Sequence, residues 1–146
     1  MKTTTLSLAY VALAGTLLSL HAVAGEVHAA IDGVSSTKGH VICGIFRSAQ
    51  GFPKETQRAF KWVSQPANPN GMQCVFADIP EGTYAISVFH DENDDGVLNT
   101  NFIGAPREGY GVSNNHTYSM HPPSFEESSF VMDAQGTIEM HIRLKY

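Results

Sequence analysis

The last ten residues, TIEMHIRLKY, alternate without a break: Ile138, Met140, Ile142, Leu144 and Tyr146 fall on one side, Glu139, His141, Arg143 and Lys145 on the other. Successive side chains in an extended strand point to opposite faces, so this pattern predicts a half-buried antiparallel strand. GTYAISVFH, beginning at Gly82, is apolar on both faces, with Tyr84, Ile86 and Val88 against Ala85 and Phe89, as a central strand requires. HVICGIF, RAFKWVS, MQCVFADI and SSFVMD read as further strands, and turn chemistry such as IPEG, NPNG and DAQG separates the segments. No segment sustains a 3.6-residue apolar period. The fold class is therefore all-β, a single antiparallel β-sandwich of about seven strands. An outer-membrane barrel fits poorly, because it needs about eight or more clean strands of about ten residues each.

The first 24 residues follow another rule. Lys2 precedes a charge-free apolar run from Leu6 to Leu20, and Ala22-Val23-Ala24 fits the small-residue cleavage pattern, so residues 1–24 are expected to be a secretory signal peptide. Residues 25–146 then form one domain, with no membrane span in the mature chain. That chain carries 8 basic and 14 acidic residues, a net charge of −6. Nucleic acid is excluded as a partner, since binding phosphates takes clustered Lys and Arg. The expected location is the periplasm or the exterior.

Export changes what two cysteines mean. Cys43 shares a strand face with Val41 and Ile45, Cys74 shares one with Met72 and Phe76, and an even count in an oxidising compartment favours a disulfide between them. The alternative is a pair of buried free thiols. Closing a loop of this length contributes roughly 3.5 kcal/mol in the chain-entropy picture. Without a Cys-x-x-Cys spacing, the pair reads as structural.

The stretch from Gly82 to Asn115, GTYAISVFHDENDDGVLNTNFIGAPREGYGVSNN, followed by PPSFEESSF and IEMHIRLKY, resembles the exported bacterial family catalogued as domain of unknown function 2141. Its most specific parts are G-T-Y-A, H-D-E-N, the Gly-Pro-basic-Glu-Gly-aromatic-Gly run and Ser-Asn-Asn. The resemblance implies a transthyretin-like (prealbumin-like) or carboxypeptidase-regulatory-like β-sandwich, and it implies no activity. The chain departs from the family's usual form at Asp94-Asp95, where Gly-Asn or a similar pair is common, and at Asn99, where Asp is common.

HDENDDGVLNT, starting at His90, has the spacing of a calcium loop. Asp91, Asn93 and Asp95 occupy the first, third and fifth places, Gly96 the sixth, the Val97 carbonyl the seventh and Asn99 the ninth. The twelfth residue is Phe102, so this is no EF-hand, and a site here would need Glu108 to complete its oxygens. Calcium is the one cofactor the sequence suggests. The competing reading is an ion-free polar turn, because Asp, Asn and Gly dominate turns for their own backbone reasons.

Catalysis finds little support. GVSNN falls short of the Gly-x-Ser-x-Gly elbow, so Ser113 and His116 read as loop structure, and a hydrolase stays in reserve. Six histidines remain in the mature chain, expected mostly at surfaces or strand edges, and no pair has zinc-motif spacing. Glu126 and Glu127 adjoin in an expected strand, where neighbours point apart, which rules out a glycosidase pair.

Binding is the better expectation. Phe102, Tyr110 and Tyr118, beside the amides of Asn114 and Asn115, lie in a long Gly-, Pro- and Asn-rich segment and could stack on a sugar or a peptide. The bland alternative is that these rings cap the end of the sandwich. The sequence thus reads as a non-enzymatic exported module that binds carbohydrate, peptide or an envelope protein through the Asp91–Asn115 loops. Against it stands a structural or assembly module of the envelope with no small-molecule ligand.

Overall fold

The computed structural model describes residues 24–117 and 121–146. The leader-like residues 1–23 and Tyr118 lie outside the described residues. Eight strands follow in chain order: β1 (Gly25–Asp32), β2 (His40–Phe46), β3 (Lys61–Pro66), β4 (Met72–Ile79), β5 (Gly82–Asp91), β6 (Tyr110–Val112), β7 (Ser129–Met132) and β8 (Thr137–Arg143). A one-turn helix, α1 (Phe125–Ser128), precedes β7. Three strands form one sheet in the order β4-β1-β8, and the rest form a second in the order β3-β2-β5-β6, with β7 also paired to β5.

The expectation of about seven antiparallel strands needs two corrections. Strands β1 and β6 were not anticipated, and β8 pairs with β1 in parallel, with Val27 opposite Ile138 and Ile31 opposite Ile142. The predicted alternation holds as far as Lys145, with Ile142 and Leu144 buried and Glu139, His141, Arg143 and Lys145 exposed, but Tyr146, expected on the buried face, is 57% exposed. Glu126 and Glu127 also depart from expectation, since they lie in α1 and not in a strand. There Ser124 accepts from the Glu127 N–H while the Glu127 carboxylate accepts from the Ser124 N–H, so the second acid is spent capping the turn.

The two sheets face each other across one core. Val27, Ala29, Ile31, Phe76 and Ile142 from the smaller sheet meet Val41, Ile45, Tyr84, Ile86 and Val88 from the larger. Strand β5 is central as its two-faced apolar pattern requires, with β2 on one side and β6 and β7 on the other. Cys43 of β2 and Cys74 of β4 stand at disulfide distance across the interior, S–S 1.98 Å and Cα–Cα 6.5 Å.

The outer face of the larger sheet carries a second, smaller cluster: Ile42, Phe89, Leu98, Tyr110 and Val112, with Phe52 against them. Leu98 belongs to the loop that follows Asp91, so burying it pins that loop onto the sheet. This is how the fold positions the acidic stretch.

Candidate functional site

At the end of β5, His90 points inward and Asp91 outward, as strand alternation dictates. His90 is fully buried, which corrects the expectation of surface histidines at this position. Its Nε2 lies 2.7 Å from the Lys38 carbonyl, which can only accept, so that nitrogen carries the proton. Nδ1 then accepts from the Tyr146 hydroxyl at 2.7 Å, and that oxygen in turn accepts from the Ser35 N–H at 2.9 Å.

The acids of the loop are turned onto its own backbone. Asp91 accepts from the Asp95 N–H at 3.1 Å and the Gly96 N–H at 2.8 Å. Asp95 accepts from the Val97 N–H at 2.9 Å, the Asn93 amide at 2.9 Å and the Asn99 amide at 2.8 Å. Glu108, 7% exposed, returns from downstream to accept from the Glu92 and Asn99 N–H groups at 3.1 and 2.9 Å. Each carboxylate thereby satisfies donors that a nonrepetitive loop would otherwise leave unpaired. These bonds, the Asn99 amide foremost, then Asn93 and Val97, hold the Asp95 carboxyl below its usual pKa.

The expected ligand positions do converge: Asn93, Asp95 and Asn99 touch, and the Asn99 amide also donates to the Val97 carbonyl at 2.9 Å. As placed, however, both amides present N–H groups to Asp95, so the arrangement is a closed hydrogen-bond cluster and not an oxygen cage. Among the described residues, no group of three His, Cys, Asp or Glu side chains is disposed to hold a metal ion. Asp94 faces away, its Oδ1 2.6 Å from His40 Nδ1 on β2.

The Ser-Asn-Asn triplet has a structural task. Strand β5 pairs with β7 through Ala85 and with β6 from Ser87 onward, so Ile86, opposite Ile45 of β2 on one side, has no ladder partner on the other. The Ser113 hydroxyl fills that gap, accepting from the Ile86 N–H at 2.9 Å and donating to the Ser128 carbonyl. Asn114 and Asn115, both at positive φ, donate to carbonyls of Glu127, Ser129 and His141, and Asn115 accepts from the Arg143 N–H. Ser113 is fully buried, so its oxygen is no accessible nucleophile.

The aromatics sort differently. Tyr110 is buried beneath the loop, while Phe102 is 99% and Ile103 71% exposed at a turn tip. The Asn101 side chain fixes that tip by accepting from the Ile103 and Ala105 N–H groups at 3.1 and 3.0 Å. Sequence reasoning missed Trp62, which is 57% exposed on β3. The signal was present, since Trp62 shares its strand face with Ser64 and Pro66 while Val63 takes the other.

These observations define a two-sheet, disulfide-tied β protein that displays apolar side chains beside a self-capped acidic loop. The chain belongs to the bacterial family described as "Uncharacterized protein conserved in bacteria (DUF2141)", which it matches over residues 29–139. No curated protein and no solved structure matches it. No helix among the described residues is long and apolar enough to cross a membrane.

Proposed function

We propose that the chain is an exported, non-enzymatic binding module with a transthyretin-like sandwich fold, and that it seats an envelope partner on the loops beyond Asp91. The observation that carries this reading is the Phe102–Ile103 tip. An ordered turn holds two large apolar side chains almost wholly in water, and burying them against a partner would recover about 1.5–3 kcal/mol per side chain. The inter-sheet cysteine pair supports an oxidising destination. The commitment of Ser113 to Ile86 and Ser128 speaks against the reserve hydrolase. To test the reading, a benzophenone amino acid is placed at position 102 of the protein exported in a bacterial host. Irradiation is expected to give a discrete adduct that is missing when the label sits at exposed Val131. Equal yields from both positions, or none from 102, overturn it in favour of a structural module.

A second reading, weak calcium binding at the Asp91 loop, is favoured by one observation: the Asn93 and Asn99 amides already meet at Asp95. Turning both amides over would replace donors with oxygens, and a hard cation would offset the repulsion so created. Glu108 would close the site. Calcium at about ten times its dissociation constant would then add about 1.4 kcal/mol, with magnesium a poor substitute. A calcium-dependent rise in melting temperature should vanish in Asp91→Ala and Asp95→Ala and survive in Asp94→Ala. Identical melts of the unaltered protein in calcium and in chelator dismiss this reading.

A further inference from the structure

We propose that the groove beside Trp62 binds the ring face of a neutral carbohydrate. The site is separate from the Phe102 tip and does not depend on it.

On β3, Val63 packs against the core while Trp62, the only tryptophan in the chain, points outward. Register places Ile42 of β2 opposite Ser64, on the same outer face. Trp62, Ile42 and Gly96 line two clefts of about 150 and about 460 Å³. Shared lining makes these a single groove. A Cβ at Gly96 would meet nothing within 4 Å, so the loop leaves space above the indole's neighbour.

The groove also has polar chemistry to spare. Thr56 borders the smaller cleft, with its residue 6% exposed and its hydroxyl buried without a hydrogen-bond partner among the described residues. Gln57 lines the same cleft and Ser64 the larger one, and Asp94, anchored by His40, stands at the far end. A broad apolar platform ringed by the Gln57 amide, the Ser64 hydroxyl and the Asp94 carboxylate matches a pyranose. Its C–H faces stack on an indole, and its hydroxyls radiate from the rim toward acceptors and donors.

Other occupants fit less well. No Lys or Arg lines either cleft, while Asp94 and Asp91 do, so phosphates and uronates would be repelled. A peptide adding itself as a strand would need the outer edge of β3. The Lys61 and Gln65 side chains reach from β3 to the Ala77 and Gln73 carbonyls of β4, and an added strand would have to displace them.

The test titrates the protein with cellotetraose, laminaritetraose, mannotetraose and chitotetraose, following the fluorescence of Trp62, with trigalacturonate and tetra-alanine as controls. At least one neutral tetrasaccharide is expected to give a saturable shift. Calorimetry should find it about tenfold or more weaker in Trp62→Ala, partly retained in Trp62→Phe and weakened in Gln57→Ala, all with melting temperatures near that of the parent. Binding that survives Trp62→Ala, stronger saturation by trigalacturonate or tetra-alanine, or no signal from any of the four sugars at about 10 mM overturns the proposal.

Discussion

Asp95 owes its lowered pKa to hydrogen bonds that exist only in the folded loop, chiefly from Asn99. A carboxyl whose folded value lies below its unfolded one contributes stability above the ordinary carboxylate range and loses it as pH falls through the lowered value. The gap in melting temperature between the unaltered protein and Asp95→Ala should therefore be full at pH 7 and begin to narrow as pH falls below about 4. A gap that does not change with pH would show that these bonds do not favour the ionised carboxyl. Glu127, lowered first by the Ser124 N–H and then by the Ser124 hydroxyl, should respond in the same sense. Ser113 allows a sharper measurement. Ser113→Ala strands a buried N–H on Ile86 and a carbonyl on Ser128, and urea denaturation should register a loss of about 1–3 kcal/mol. An unchanged midpoint would mean that the hydroxyl is not structural.

Among the elements, β5 bears the heaviest consequence of a single change. Tyr84 and Val88 face the interior, and Tyr84 also donates to the Pro80 carbonyl at 2.9 Å. Tyr84→Asp or Val88→Asp buries an unpaired carboxylate at a cost of several kcal/mol, and neither variant should fold. Soluble protein with a cooperative melt would contradict that. This strand was legible because its apolar run is long and bounded by turns. Strand β1 was harder to see, because Ala29 and Ala30 blur its alternation and it follows directly on the leader-like run. Its parallel pairing with β8 was invisible, since local sequence does not encode which distant strand lies alongside. Strand β6 has three residues, too few for any period. At the acidic loop, Asn93, Asp95 and Asn99, grouped by spacing as calcium ligands, meet in hydrogen bonds. Spacing alone does not say whether their oxygens meet a cation or a backbone N–H, because both reward the same residue types.

At the scale of the molecule, the two sheets are tied at several places: by the Cys43–Cys74 link, by paired hydrogen bonds between Tyr110 and Lys145, and by the Asn115 side chain on β8. Replacing both cysteines by Ala should cost about 2–5 kcal/mol, and intact mass after alkylation without reduction should show no labelled thiol in the parent protein. Two labelled thiols would remove the link from the native molecule. The parallel pairing of β1 with β8 also governs timing. Val27 cannot find Ile138 until all the residues between them have been made, so the smaller sheet lacks its third strand until then. Contacts this distant in sequence slow folding. Until β8 is in place, one long edge of β1 stands open to any other strand that reaches it.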